Sequence, residues 1–89
     1  MKTIRIAGKE IKVIVKELED KHGEADLDAG IIYLHHGADV PTELHERMHH
    51  VLHITGMAEM LGARKVEAVC RAIELLAPYV ILTYEEPKQ

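Results

Sequence analysis

The 89-residue chain has no phenylalanine and no tryptophan, and its aromatic residues are three tyrosines. Its core must therefore be aliphatic, filled by Ile, Leu, Val, Met and Ala. A single cysteine, Cys70, rules out an internal disulfide; on the apolar face of a predicted helix it reads as a small core residue. No apolar run approaches the roughly 20 residues of a membrane span. The opening Met1-Lys2-Thr3-Ile4-Arg5 alternates rather than forming a secretory hydrophobic region. Net charge is −4 and the basic residues are scattered, whereas a nucleic-acid partner calls for a concentrated Lys/Arg face. These absences predict one small soluble domain over residues 1–89, cytoplasmic, with neither nucleic acid nor membrane as partner. Histidine is the compositional excess, at seven residues.

Two-residue alternation through Lys2–Ala7, a turn at Gly8-Lys9 and renewed alternation at Ile11, Val13 and Val15 predict a β-hairpin. The charged segment Lys16–His22 leaves a helical turn and a loop both open. Asp26-Leu27-Asp28-Ala29-Gly30 reads as a turn feeding a strand at Ile31-Ile32-Tyr33-Leu34-His35. Beyond Gly37 the signals become helical. Asp39 suits an N-cap, Pro41 a first turn and Glu43 the positive end of the dipole, with Gly56 ending a helix over about 40–55. A second helix is expected over 63–77, with Val66, Val69, Cys70, Ile73 and Leu76 as its stripe and Pro78 interrupting it. The tail 78–89 begins with β-prone Tyr79–Tyr84, which fits a last strand or a kinked helical continuation. The expected architecture is α+β, a small antiparallel sheet over about 2–35 packed on two main helices.

Within the first helix, His45-Glu46-Arg47-Met48-His49 spells H-E-x-x-H. One helical turn brings two imidazoles to about 5–6 Å between Cβ atoms, close enough to share a zinc ion at roughly 2.0–2.1 Å each. Glu46 then stands beside the ion, placed to take a proton from water without being a ligand. At about 100° per residue, Leu44, Met48, Val51 and Leu52 form the expected core face, with His45 and His49 on its margin. Glu43, Arg47, His50 and Ile54 fall on the opposite side, expected to face water. His53 lies one turn beyond His49 but about 12 Å along the axis from His45, too far to share its ion.

A third ligand must come from outside this helix, and the second helix offers Glu67 and Glu74 on one face with Arg71 between them. Glu67 adjoins Val66 at the buried edge of the stripe and is the candidate; Glu74 reads as part of a surface charge ladder.

The hairpin, the strand Ala29-Gly30-Ile31-Ile32-Tyr33-Leu34, the H-E-x-x-H helix and the trailing Glu67-Ala68-Val69-Cys70-Arg71-Ala72 together resemble small gluzincin metallopeptidases. These are minimal, prophage-type relatives of the ImmA/IrrE peptidases. The resemblance covers about residues 1–77 and implies a zincin-like fold. It assigns zinc to His45, His49 and Glu67 and catalysis to Glu46. Arg47, His50 and Arg71 depart from the family pattern.

The implied reaction is zinc-dependent hydrolysis of a peptide or protein substrate. Tyr33, His53, Tyr79 and Tyr84 are the candidate oxyanion donors or supports of the ligands. The strand Ile31-Ile32-Tyr33-Leu34 is the candidate edge for an extended peptide. The rival reading is a catalytically weak or inactive zincin-like module that binds metal or protein. A histidine-rich metal buffer using His35, His36, His50 and His53 is a third.

Overall fold

The computed structural model describes the backbone of residues 1–85 and the side chains of residues 1–77. Among the described residues the protein is α+β: a four-stranded mixed sheet and three helices. Strands β1 (Lys2–Ile6) and β2 (Lys9–Val15) form the expected hairpin, with Ile6 opposite Lys9. The turn sits at Ala7-Gly8, one residue earlier than expected. Both residues have positive φ, 50° and 82°, the backbone that suits a tight two-residue hairpin and favours glycine.

The sheet departs from the antiparallel expectation. Its order is β1-β2-β4-β3, where β3 spans Gly23–Asp26 and β4 spans Ile31–Leu34, and β2 pairs with β4 in parallel. The sequence reading missed β3 because Gly-Glu-Ala-Asp lacks the β-branched and aromatic residues that mark a strand. What places it is the turn that follows. Asp26 Oδ1 accepts from the Ala29 N–H at 3.1 Å, and Gly30, with φ 71°, donates to the Asp26 carbonyl. This returns the chain antiparallel to β4. Residues 16–22 form a loop, tied down where the Leu18 N–H donates to His35 Nδ1 at 3.0 Å.

One sheet face carries Ile6, Ile11, Val13, Ile32 and Leu34, all buried, with Val51 and Ile54 of the first helix packed on them. That helix, α1 (Val40–Ile54), starts as expected: Asp39 Oδ1 accepts from the Thr42 hydroxyl at 2.7 Å and from the Thr42 N–H at 3.0 Å, and those bonds lower the Asp39 pKa. It ends at Gly56 in the left-handed conformation. A short helix α2 (Met57–Leu61) follows, for which the sequence reading had no element.

The third helix, α3 (Ala63–Glu85), packs along α1. Leu52, Val66 and Cys70 form its buried core, with Met48 and Val69 against them. Pro78 does not end this helix. A proline inside a helix forfeits the bond to the carbonyl four residues back, at about 3 kcal/mol, without obliging the chain to leave the helix. Leu76 is exposed rather than core, and Ala77 is buried in its place.

α1 is therefore packed on two sides, against the sheet and against α3, not on one. This overturns the assignment of Ile54 and His50 to water. Ile54 packs on the sheet, and His50, 1% exposed, sets Nε2 3.1 Å from the Ile31 carbonyl. Among the described residues, no helix is long and apolar enough to cross a membrane.

Candidate metal centre

The α1–α3 seam holds the titratable groups that the sequence singled out. His45 and His49, one turn apart, have ring centroids separated by 5.2 Å. Both point at Glu67 on α3. His45 Nε2 lies 3.5 Å from Glu67 Oε2, and His49 Nε2 lies 3.3 Å from Glu67 Oε1. Two imidazole nitrogens thus converge on the two oxygens of one carboxylate, from a separate helix. Burial and the neighbouring His45 lower the pKa of His49, opposed by Glu67. The neutral ring, the form that ligates a metal, is thereby favoured.

Glu74 is not a surface charge ladder. Its Oε1 lies 2.8 Å from His45 Nδ1. In the Nδ1–H tautomer the ring donates to this carboxylate, and Nε2 is the nitrogen turned toward Glu67. A carboxylate behind a metal-binding imidazole fixes ring orientation and tautomer in this way. The signal was present in the sequence: Glu67 and Glu74 are two turns apart, so a helix that aims one at α1 aims both.

Glu46 lies on the side of α1 toward β3 and is 8% exposed. Burial raises its pKa, the carboxylates of Glu67, Glu74 and Glu24 add to the effect, and His45 opposes it. Its immediate neighbour is the backbone of β3. A Cβ placed on Gly23 would stand 3.0 Å from Glu46 Oε2, 3.1 Å from Glu46 Cγ and 3.1 Å from Thr42 Cγ2. Glycine at position 23 is what lets the strand approach the carboxyl so closely. Gly23→Ala should force Glu46 or Thr42 aside and cost about 1–3 kcal/mol, the usual price of overpacking a filled site. A urea melt with an unchanged midpoint would contradict that reading of the contact.

Cys70 is the residue whose role the sequence understated. It is fully buried, as a core residue should be. Yet its sulfur and one nitrogen from each of His45 and His49 all lie within 4.8 Å of one another. Burial, then the charges of Glu67 and Glu46, push its thiol pKa up to about 12.

Other candidates fall outside this cluster. Ile32 and Leu34 face α1, so by strand alternation Tyr33 lies on the opposite face of the sheet. There Lys16 Nζ sits 4.3 Å from its ring centroid. Tyr33 therefore does not reach the histidines. His53 is exposed and lines a separate cleft of about 330 Å³ with Glu10, Leu27 and Asp28. The side chains of Tyr79 and Tyr84 lie outside the described residues. The strand Ile31–Leu34 is no edge, because β2 and β3 flank it on both sides. The open edge on that side of the sheet belongs to β3. Of the departures, Arg47 pairs with Glu43 along α1, away from the centre. Arg71 approaches Glu67 at 3.7 Å while 72% exposed, too solvated a contact to hold the carboxylate firmly.

Nitrogen, nitrogen and carboxylate oxygen, with sulfur beside them, are a donor set suited to zinc. No family model matches this chain, and comparison with curated proteins and with solved structures found no match.

Proposed function

We propose that this chain is a zinc-dependent peptidase of the small gluzincin type, acting on a peptide or protein substrate in the cytoplasm. The observation that carries the reading is the convergence of His45 Nε2 and His49 Nε2 on the carboxylate of Glu67, with Glu46 buried one residue along α1. His45, His49 and Glu67 would hold the ion. When bound, zinc supplies Lewis acidity toward water and a peptide carbonyl.

The chain's own groups do the remaining work. Glu46 accepts a proton from the attacking water and passes it to the leaving amine, and its raised pKa suits a group that must do both. Glu74, 2.8 Å from Nδ1, holds the His45 ring in place. The β3 edge offers backbone groups to an extended peptide, which would join the sheet as a further strand. Because Gly23 of β3 packs against Glu46, a peptide on that edge runs close to the base.

Elemental analysis of untagged protein beside a quenched-fluorescent peptide library tests the reading. The expected result is one zinc per chain with hydrolysis, and near-complete loss of both in His49→Ala. Zinc retained at full stoichiometry in His49→Ala would remove the centre from the proposal.

A graded effect is expected at Glu74. Glu74→Ala frees the His45 ring to rotate and lets Nε2 take the proton. Loss of such an outer carboxylate typically weakens metal binding about 10–100-fold, so competition with a chelator should show a tighter wild type. Equal affinities would reduce Glu74 to a surface residue.

A further inference from the structure

The metal reading leaves one buried group unused. α3 presents two potential donors to the histidine pair, Glu67 and, one turn on, Cys70. They differ in setting: the Glu67 side chain is 49% exposed, whereas Cys70 is wholly buried between Leu52 and Val66. Glu67 approaches the histidines from the solvent side of the seam, and Cys70 approaches them from the core.

The distances decide whether the thiol is mere packing. Bond lengths of about 2.0–2.1 Å to nitrogen and 2.3 Å to sulfur set the donors of a tetrahedral zinc roughly 3.3–3.6 Å apart. The sulfur and the two ring nitrogens already lie within 4.8 Å of one another. The remaining contraction, at most about 1.5 Å, is within the reach of small side-chain rotations. The thiol thus lies beside two groups that can ligate a metal, on the helix packed along the one that carries them.

We propose that Cys70 is a direct metal ligand, so that the centre is a thiolate site built on His45, His49 and Cys70, with Glu67 completing it from the solvent side. Ligation forms a metal–sulfur bond and releases the thiol proton to solvent. Cys70 would thus add a fourth protein donor, from the core side, to His45, His49 and Glu67. A sulfur ligand also shifts the preference toward thiophilic cations such as zinc, cobalt(II) and cadmium, away from manganese and calcium. The inference rests on the metal-centre reading above.

Cobalt(II) reports on its ligands through its absorption spectrum. Metal-free full-length protein titrated with cobalt(II) chloride should take up one ion. It should show visible bands of a four-coordinate site together with an intense thiolate-to-cobalt charge-transfer band in the near ultraviolet. Cys70 is the chain's one cysteine, so that band has a unique source. Cys70→Ser should lose the charge-transfer band and keep the visible bands. Visible bands without the charge-transfer band in the wild-type protein would overturn the role of Cys70 and leave the peptidase reading standing. No cobalt bound at all would overturn both. If Cys70→Ser does not fold, the wild-type spectrum alone decides.

Discussion

Glu46→Gln should lower peptide hydrolysis by about 10²–10⁴-fold, the range general acid–base groups usually contribute, while zinc content stays at the wild-type level. Glutamine keeps the shape of the side chain and its fit against Gly23 and Thr42, but it cannot take a proton from water. The same change should not destabilise the fold. Burial raises the pKa of Glu46, so the folded chain prefers the protonated carboxyl more than the unfolded chain does. At neutral pH the unfolded carboxylate is ionised and well solvated, and folding carries the cost of desolvating it. Removing that charge therefore leaves the melting temperature of the metal-free protein equal or higher. Activity lost with metal and stability retained identifies the base. Activity retained would end the assignment of Glu46, and a biological effect that survives without hydrolysis would favour the binding-module reading.

How much of this was legible in the sequence follows from the kind of signal each feature leaves. The hairpin, the Asp39 cap and the Gly56 stop are local chemistry, and they sit within a residue of where the sequence puts them. The H-E-x-x-H spacing likewise fixed His45 and His49 on one flank of α1. The failures were tertiary. A helical map places one dry face on α1, whereas α1 is wedged between sheet and α3, so His50 on the expected water side is buried and Ile54 is partly buried. β3 carries no strand propensity of its own and exists because the Asp26–Gly30 turn folds it onto β4. The candidate peptide edge moved from β4 to β3 for the same reason: pairing order is not written in any one strand. Taken one at a time, Glu74 reads as a surface acid and Cys70 as a core thiol. Taken together with Glu67, their spacing at three and seven residues marks a single face of α3, and that face is turned toward the histidines.

His50 is where the fold and the centre meet, and its loss should be the largest stability effect among the residues discussed. The imidazole is 1% exposed, and its Nε2–H donates to the Ile31 carbonyl of β4 at 3.1 Å. It thereby joins α1 to the strand at the middle of the sheet. His50→Ala leaves a cavity and strands a buried carbonyl. Large-to-small core changes cost about 2–5 kcal/mol and an unmet buried polar group about 1–3; with partial collapse a net loss of about 3–4 kcal/mol is expected in urea denaturation. His50→Gln, which keeps a donor, should recover part of it. The pH dependence has a definite sign. Burial holds the His50 pKa below its ordinary 6.5, against the pull of the Ile31 bond. Below about pH 6.5 the unfolded imidazole binds a proton that the folded one refuses, so this contribution to stability falls as pH falls. The wild-type protein should therefore lose more stability than His50→Gln between pH 7 and pH 5. Because His50 adjoins His49, a slackened joint to β4 also reaches the centre: metal affinity should drop in His50→Ala although no proposed ligand has been touched. Equal urea midpoints for wild type and His50→Ala would mean that the sheet, not this hydrogen bond, sets the seat of α1.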